Sequence, residues 1–326
     1  MHIPDGFLDP KVAISSGILS AAGIALAARK ARIELPARRV PLMGLAAAFV
    51  FAAQMLNFPV AGGTSGHLIG AVLCSVLLGP SAAVLVVSSV LIVQCLAFGD
   101  GGVLALGANV FNMAIVSSVG GYAIYRGLHR LFPGPRGRLL AVAVASWVAT
   151  VVAAVVCAGQ LALSGTVPWT VALPAMAYVH MLIGVGEAII TTLVIATIAQ
   201  TKPELLDESN AVTVAGRGRE FVFYGLIIAL GLALFISPFA SKWPDGLDRV
   251  AESFGFQHRE MHLLASTPLN DYRIPGIHSV NLATALAVAL GTIVVFGLGW
   301  GLARILVPAV KPQSEMNADT PEASGA

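Results

Sequence analysis

Met1 and His2 place an α-amine one residue from an imidazole. The amine, the His2 amide and the His2 Nδ1 can close two fused chelate rings, one five-membered and one six-membered. Three nitrogens then share a plane around a metal ion, and a fourth ligand has to come from elsewhere. Four nitrogens in a plane suit Ni²⁺ or Cu²⁺, accommodate Co²⁺, and fit Zn²⁺ poorly, because zinc prefers a tetrahedron. His67 is the candidate fourth ligand. It follows the run Ala61-Gly-Gly-Thr-Ser-Gly66, whose glycines permit positive φ and close backbone approach. The alternative is an interface histidine at a helix start. The chelate needs Met1 retained with a free amine, which the large residue at position 2 leads us to expect. No HExxH pattern marks a hydrolytic zinc site.

A second set of polar residues falls in or beside apolar runs: Gln54, Asn57, Gln94, Asn109, Asn112, His180 and Glu187. Such groups are costly in lipid and are expected to face a bundle interior. Each either pins one helix to another or lines a path for a cation. His180 and Glu187 are two helical turns apart and share a face. Asp100, in the loop Gly99-Asp-Gly-Gly102, either attracts cations or caps the following helix. Asp5 lies in the turn Pro4-Asp-Gly6. We expect it to cap the first helix; the alternative is to accept a hydrogen bond from a ligand histidine.

The elements that position these groups are membrane helices. The chain has 326 residues, 57% of them hydrophobic and 11% charged, with mean hydropathy +0.84. A soluble domain carries roughly 25% charge. The fold class is therefore all-α, a polytopic helical membrane protein. Nine apolar runs are expected to span: 12–28, 40–57, 67–79, 81–98, 107–125, 139–163, 169–199, 221–237 and 279–307. Basic residues cluster after the first, fifth and seventh. That bias puts the N-terminus outside and the C-terminus in the cytoplasm. A net charge of +2 gives no reason to expect a nucleic-acid partner. Cys74, Cys95 and Cys157 form no CxxC pair and are expected to be small core residues. Gly17, Ala21 and Ala25 make a small-residue face on the first helix, suited either to packing within the bundle or to docking a separate subunit. No Walker A pattern occurs, so any ATPase must be a separate chain.

Several motifs, in order, resemble the CbiM/NikM family, the metal-specific membrane components of energy-coupling factor (ECF) transporters for cobalt and nickel. They are Met1-His-Ile-Pro-Asp-Gly-Phe7, Pro59-Val-Ala-Gly-Gly-Thr-Ser-Gly-His67, Gln94, Asp100-Gly-Gly102, Leu106-Gly-Ala-Asn109, Asn112-Met113 and the stretch from His180 to Glu187. The resemblance implies a metal held by the Met1 amine, the His2 amide and imidazole, and His67. It covers residues 1–200, expected to form a seven-helix metal-binding bundle. Residues 201–220 are expected to be a cytoplasmic linker, and 308–326 a disordered tail.

Residues 221–307 resemble the PDGLE accessory domain, allied to the NikN/CbiN small subunits. The resemblance rests on Pro244-Asp-Gly-Leu-Asp248 and Ser266-Thr-Pro-Leu-Asn-Asp-Tyr272. Asp248 stands where that motif has Glu. Pro-Asp-Gly at 4–6 and again at 244–246 is taken as two outside turns. His258 and His262, four apart, are taken as an exposed pair, with metal relay as the alternative. By resemblance the partners are a transmembrane coupling subunit and two ABC ATPases in the bacterial cytoplasmic membrane. The chain itself is expected not to be an enzyme. The transported ion is Ni²⁺ or Co²⁺, and the planar nitrogen set and the PDGLE part favour nickel. A competing class is a standalone secondary transporter or channel for divalent cations, using Glu187, His180 and Asp100 as its path.

Overall fold

A computed structural model describes residues 1–206, 218–261 and 267–307. The expected tail, most of the expected linker and His262 lie outside these residues.

The helices are α1 (Pro10–Glu34), α2 (Val40–Gln54), α3 (Ala71–Leu78), α4 (Pro80–Phe98), α5 (106–131), α6 (Pro135–Leu163), α7 (Trp169–Thr201), α8 (Glu220–Phe239), α9 (Gly246–Phe254) and α10 (Val280–Leu306). Of these, α1, α4, α6, α7, α8 and α10 are long and apolar enough to cross a membrane. The shorter α2 is apolar and almost wholly buried. Exposed apolar side chains such as Ile14, Ile18, Tyr178, Ile189 and Leu290 face outward, as lipid-facing helices require. The protein is a multi-pass helical membrane protein.

The expected span at 67–79 is corrected. Its helix, α3, has eight residues, about 12 Å at 1.5 Å per residue, against a hydrocarbon core of about 30 Å. Residues 58–70 instead form a hairpin, β1 (Phe58–Val60) with β2 (Thr64–Gly66), and an extended stretch leading into α3. From Thr64 to Gly70 this stretch is buried. Irregular backbone survives there only if its polar groups are satisfied inside the protein. Glu187 on α7 accepts from the Ile69 and Gly70 amides at 2.5 and 2.9 Å. Gln54 on α2 donates to the Ile69 carbonyl at 3.0 Å.

The first helix is capped by Asp9, which accepts from the Lys11 amide at 2.9 Å, with Pro10 in the first turn. This corrects the expectation for Asp5. Its carboxylate turns away from α1 and accepts from the Val103, Leu104 and Ala105 amides, at 3.0, 2.8 and 3.3 Å, at the start of α5. Asp100 does not cap that helix either. Gly17 abuts α5, where a Cβ on Gly107 would fall 2.4 Å from the Gly17 Cα. Ala21 and Ala25 remain exposed.

The C-terminal helices pack on the preceding ones. Helix α10 lies along α2, and α8 meets α2 beside it. The loop between α8 and α9 adds to β2, with the Ser65 amide donating to the Pro244 carbonyl at 2.8 Å. A second loop pairs with the N-terminal segment, the Met261 amide donating to the Asp5 carbonyl at 2.9 Å.

Candidate metal centre

The amino terminus is built into the protein. Met1, Ile3 and Phe7 are buried, and Ile3 is fully so. Burying side chains of this size stabilises by about 1.5–3 kcal/mol each. Asn109 on α5 holds Ile3 at two points: its Oδ1 accepts from the Ile3 amide at 2.8 Å and its Nδ2 donates to the Ile3 carbonyl at 3.1 Å. The Gly102 amide donates to the same carbonyl at 2.9 Å. A side chain at 102 would collide with Asp5, whose Oδ1 lies 2.2 Å from where the Cβ would stand. Residues 1–5 therefore have one path through the structure.

That path brings Met1 and His2 against His67. The Met1 nitrogen is 3.2 Å from the His67 Nε2. The two imidazoles stack, with centroids 5.2 Å apart and planes at 28°. His67 Nδ1 faces the Leu68 carbonyl at 3.1 Å, which leaves Nε2 as the lone-pair nitrogen turned to the amine. The His2 amide donates no hydrogen bond among the described residues. His2 Nδ1 lies 3.3 Å from Asp100 Oδ1, and its Nε2 is 3.2 Å from Gln94 Oε1. Gln94 opens a π-helical turn at the end of α4 and donates to Gln54 Oε1 at 2.8 Å. Such turns recur at functional sites because they re-aim side chains.

The centre's electrostatics suit a cation. His67 lies in the irregular stretch between α2 and α3, and its imidazole is held down to about 3, by burial first and then by the nearby amine charge. It is neutral at physiological pH, as a ligand must be. Burial alone would lower the Met1 amine, but Asp245, whose Oδ2 bonds it, outweighs that and raises it above its ordinary value. Burial opposes Asp245 in turn, and the ammonium holds its carboxyl well below the usual range. Asp248 beside it is pushed up to about 7, chiefly by the Asp245 charge. A cavity of about 610 Å³ opens from the site and is lined by five acidic residues, Asp100, Asp245, Asp248, Glu260 and Asp271, against two basic ones, Lys242 and Arg273. An excess of acidic over basic groups around a cleft concentrates cations.

The remaining candidates take other positions. Asn57 lines the cavity wall, and its carbonyl accepts from the Ser241 amide at 2.8 Å. His180 is buried on α7, its Nδ1 on the Met176 carbonyl at 2.8 Å and its Nε2 without a partner among the described residues. Glu187 is occupied by the amides of 69 and 70. Asn112 donates to Gln160 Oε1 at 2.7 Å, pinning α5 to α6. His258 is exposed, with its Nδ1 on the Gly255 carbonyl. Two residues that bear on the centre escaped the sequence reading. Asp245 and Tyr272 stand in the two motifs of the PDGLE resemblance with no role assigned at the centre, and Tyr272 donates to Asp100 Oδ2 at 2.5 Å. The repeated tripeptide was the available signal for the first. For the second it was only its place at the end of the motif 266–272.

Residues 2–205 match the family model described as the cobalt uptake substrate-specific transmembrane region. The chain belongs to the CbiM family. Residues 219–308 of this CbiM-family chain match the PDGLE domain. A fused nickel transport protein NikMN of Rhodobacter capsulatus is 32% identical over 349 residues, covering 92% of this chain and 96% of that one. A protein of Archaeoglobus fulgidus assigned to the same NikMN type is 35% identical over 306 residues, covering 93% and 98%. A crystal structure described as a transition metal transporter superposes with TM-score 0.58 at 35% identity. It covers 66% of this chain and 100% of its own.

Proposed function

We propose that this CbiM-family protein is the substrate-binding component of an ATP-driven ECF transporter that imports Ni²⁺ or Co²⁺, with nickel favoured. The observation that carries this is the buried convergence of the Met1 amine, the His2 amide and imidazole, and His67 Nε2. These four nitrogens are the ligand set. For Nδ1 of His2 to bind, it exchanges Asp100 for the metal, while Gln94 keeps its hold on Nε2 and fixes the ring. Asn109 fixes the N-terminal segment, Asp5 fixes the loop that receives it, and Glu187 fixes the turn after His67.

In this reading residues 1–200 form the metal-binding bundle, 201–220 a cytoplasmic linker and 221–307 the accessory domain. The terminus and the acidic cavity face outside, and the basic clusters face the cytoplasm. The exposed Ala21/Ala25 face of α1, continuing the line of Gly17, is the docking surface for the coupling subunit, with ATP hydrolysed on two separate ATPases. The occupation of Glu187 by two backbone amides weighs against the alternative of a standalone cation path through α7. Uptake of radioactive nickel by cells making this chain with its coupling subunit and ATPases tests the assignment. Substituting the ATPase P-loop lysines is expected to abolish uptake. Uptake that persists with inactive ATPases overturns it in favour of a standalone transporter.

A further inference from the structure

The four-nitrogen set leaves one group at its centre without a role. Asp245 comes from the accessory part, in the turn before α9, yet its Oδ2 bonds the Met1 amine. Ligand-capable atoms of His2, His67 and Asp245 all lie within 4.8 Å of one another.

Three contacts hold it there. The Asp245 Oδ1 caps α9, accepting from the Leu247 and Asp248 amides at 2.7 and 3.0 Å, which leaves Oδ2 for the amine. Ser65, two residues before His67, clasps the same turn through its amide to Pro244 and its Oγ to the Trp243 carbonyl at 2.7 Å. Gly246 lies flat on His180, where a Cβ would come within 2.7 Å of the ring Cε1. Only a residue without a side chain lets the turn sit this low.

We propose that Asp245 is the counter-ion of the bound metal and the hydrogen-bond acceptor of the metal-bound amine. The substrate site is then shared between the bundle and the accessory domain. This rests on the terminal-chelate reading and adds to it the charge that the chelate lacks. In the metal-free state one positive charge, the ammonium, faces one carboxylate. In the loaded state a divalent ion and a deprotonated His2 amide again leave one positive charge. The coordinated amine keeps two N–H bonds, and one of them faces Oδ2. Asp245 therefore offsets the one positive charge at the buried amine in both states, where an uncompensated charge is strongly disfavoured. Asp245 is a positioning residue and not a ligand.

The test uses the full-length chain purified in detergent, with Ni²⁺ as the probe. Asp245→Asn keeps an acceptor for the α9 cap but removes the charge. Asp245→Ser keeps a capping hydroxyl too short to reach the amine. Both are expected to weaken Ni²⁺ binding about 10–100-fold, the usual cost of losing an outer partner of a metal ligand. The visible absorption band of bound Ni²⁺ is expected to stay in place, because the four nitrogens still ligate. Glu252→Gln, an equal charge loss on the exposed face of α9, is expected to bind like wild type. Thermal unfolding of the metal-free variants reports folding separately. Unchanged or tighter binding by Asp245→Asn overturns the proposal, and so does a moved band, which would make Asp245 a ligand. Normal binding by His67→Ala would instead remove the chelate itself, so the two failures are distinguishable.

Discussion

The His67 Nε2 stands 3.2 Å from the Met1 nitrogen across a separation of 66 positions. Nothing local brings them together. The hairpin 58–66 and the buried turn 67–70 carry His67 inward, and the Asn109 clamp on Ile3 carries Met1 to meet it.

Removing a nitrogen from the set removes the site. His2→Ala and His67→Ala are each expected to lower Ni²⁺ affinity by more than the about 10–100-fold that an outer-partner loss costs. Equilibrium dialysis of the purified variants measures this.

Glu187 is expected to act on His67 through the backbone. Glu187→Ala leaves the Ile69 and Gly70 amides buried without acceptors, at about 1–3 kcal/mol each. A fall in Tm together with weaker metal binding is expected. Glu187→Gln, with one carbonyl oxygen left, should fall between. A variant with wild-type Tm and impaired uptake would return Glu187 to a cation path.

Asn109 clamps the terminus by one accepted and one donated bond. Asn109→Asp keeps the acceptor for the Ile3 amide and loses the donor to the Ile3 carbonyl. Asn109→Ala loses both, at about 1–3 kcal/mol for each group left unsatisfied. Metal affinity is expected to fall in the order wild type, Asp, Ala.

Eight of the nine expected helical segments, the polar residues in them and both histidines of the centre were legible in the sequence, because apolar length and charge are properties of local stretches. The exception, 67–79, is apolar enough for a span. Its irregular backbone depends on Glu187 and Gln54, which lie on other helices, so no local pattern announces it. Asp5 and Asp9 are both acids near Pro10, and which one caps α1 is decided by the Val103–Ala105 amides almost a hundred residues away. Asp245 was hidden for the same reason: its partner is the chain's own amine, 244 positions distant.

The pH dependence follows from the amine. Its folded value is raised above 8.0, so a metal ion must displace a proton from it, and Ni²⁺ affinity is expected to rise from pH 6 to 8. His67, neutral above about 3, contributes no slope in that range. In the metal-free protein the ammonium's contribution to stability is full below 8.0 and is lost as pH rises through the raised folded value. The contribution of Asp245 is present above 3.8 and is lost as pH falls through its depressed value. Calorimetric titration across pH checks the first, and thermal unfolding without metal checks the second. A flat affinity profile would contradict the amine's part.

The most direct measurement concerns the Met1 amine. Intact mass of the purified protein establishes that Met1 is present and free, and Ni²⁺ binding is then compared between two tagged forms. One residue added before Met1 converts the amine to an amide and moves the new amine off the chelate rings. A tag at the C-terminus leaves the terminus as it is. Stoichiometric binding is expected for the C-terminally tagged protein and its loss for the extended one. Equal binding by both would contradict a metal centre built on the chain's first nitrogen.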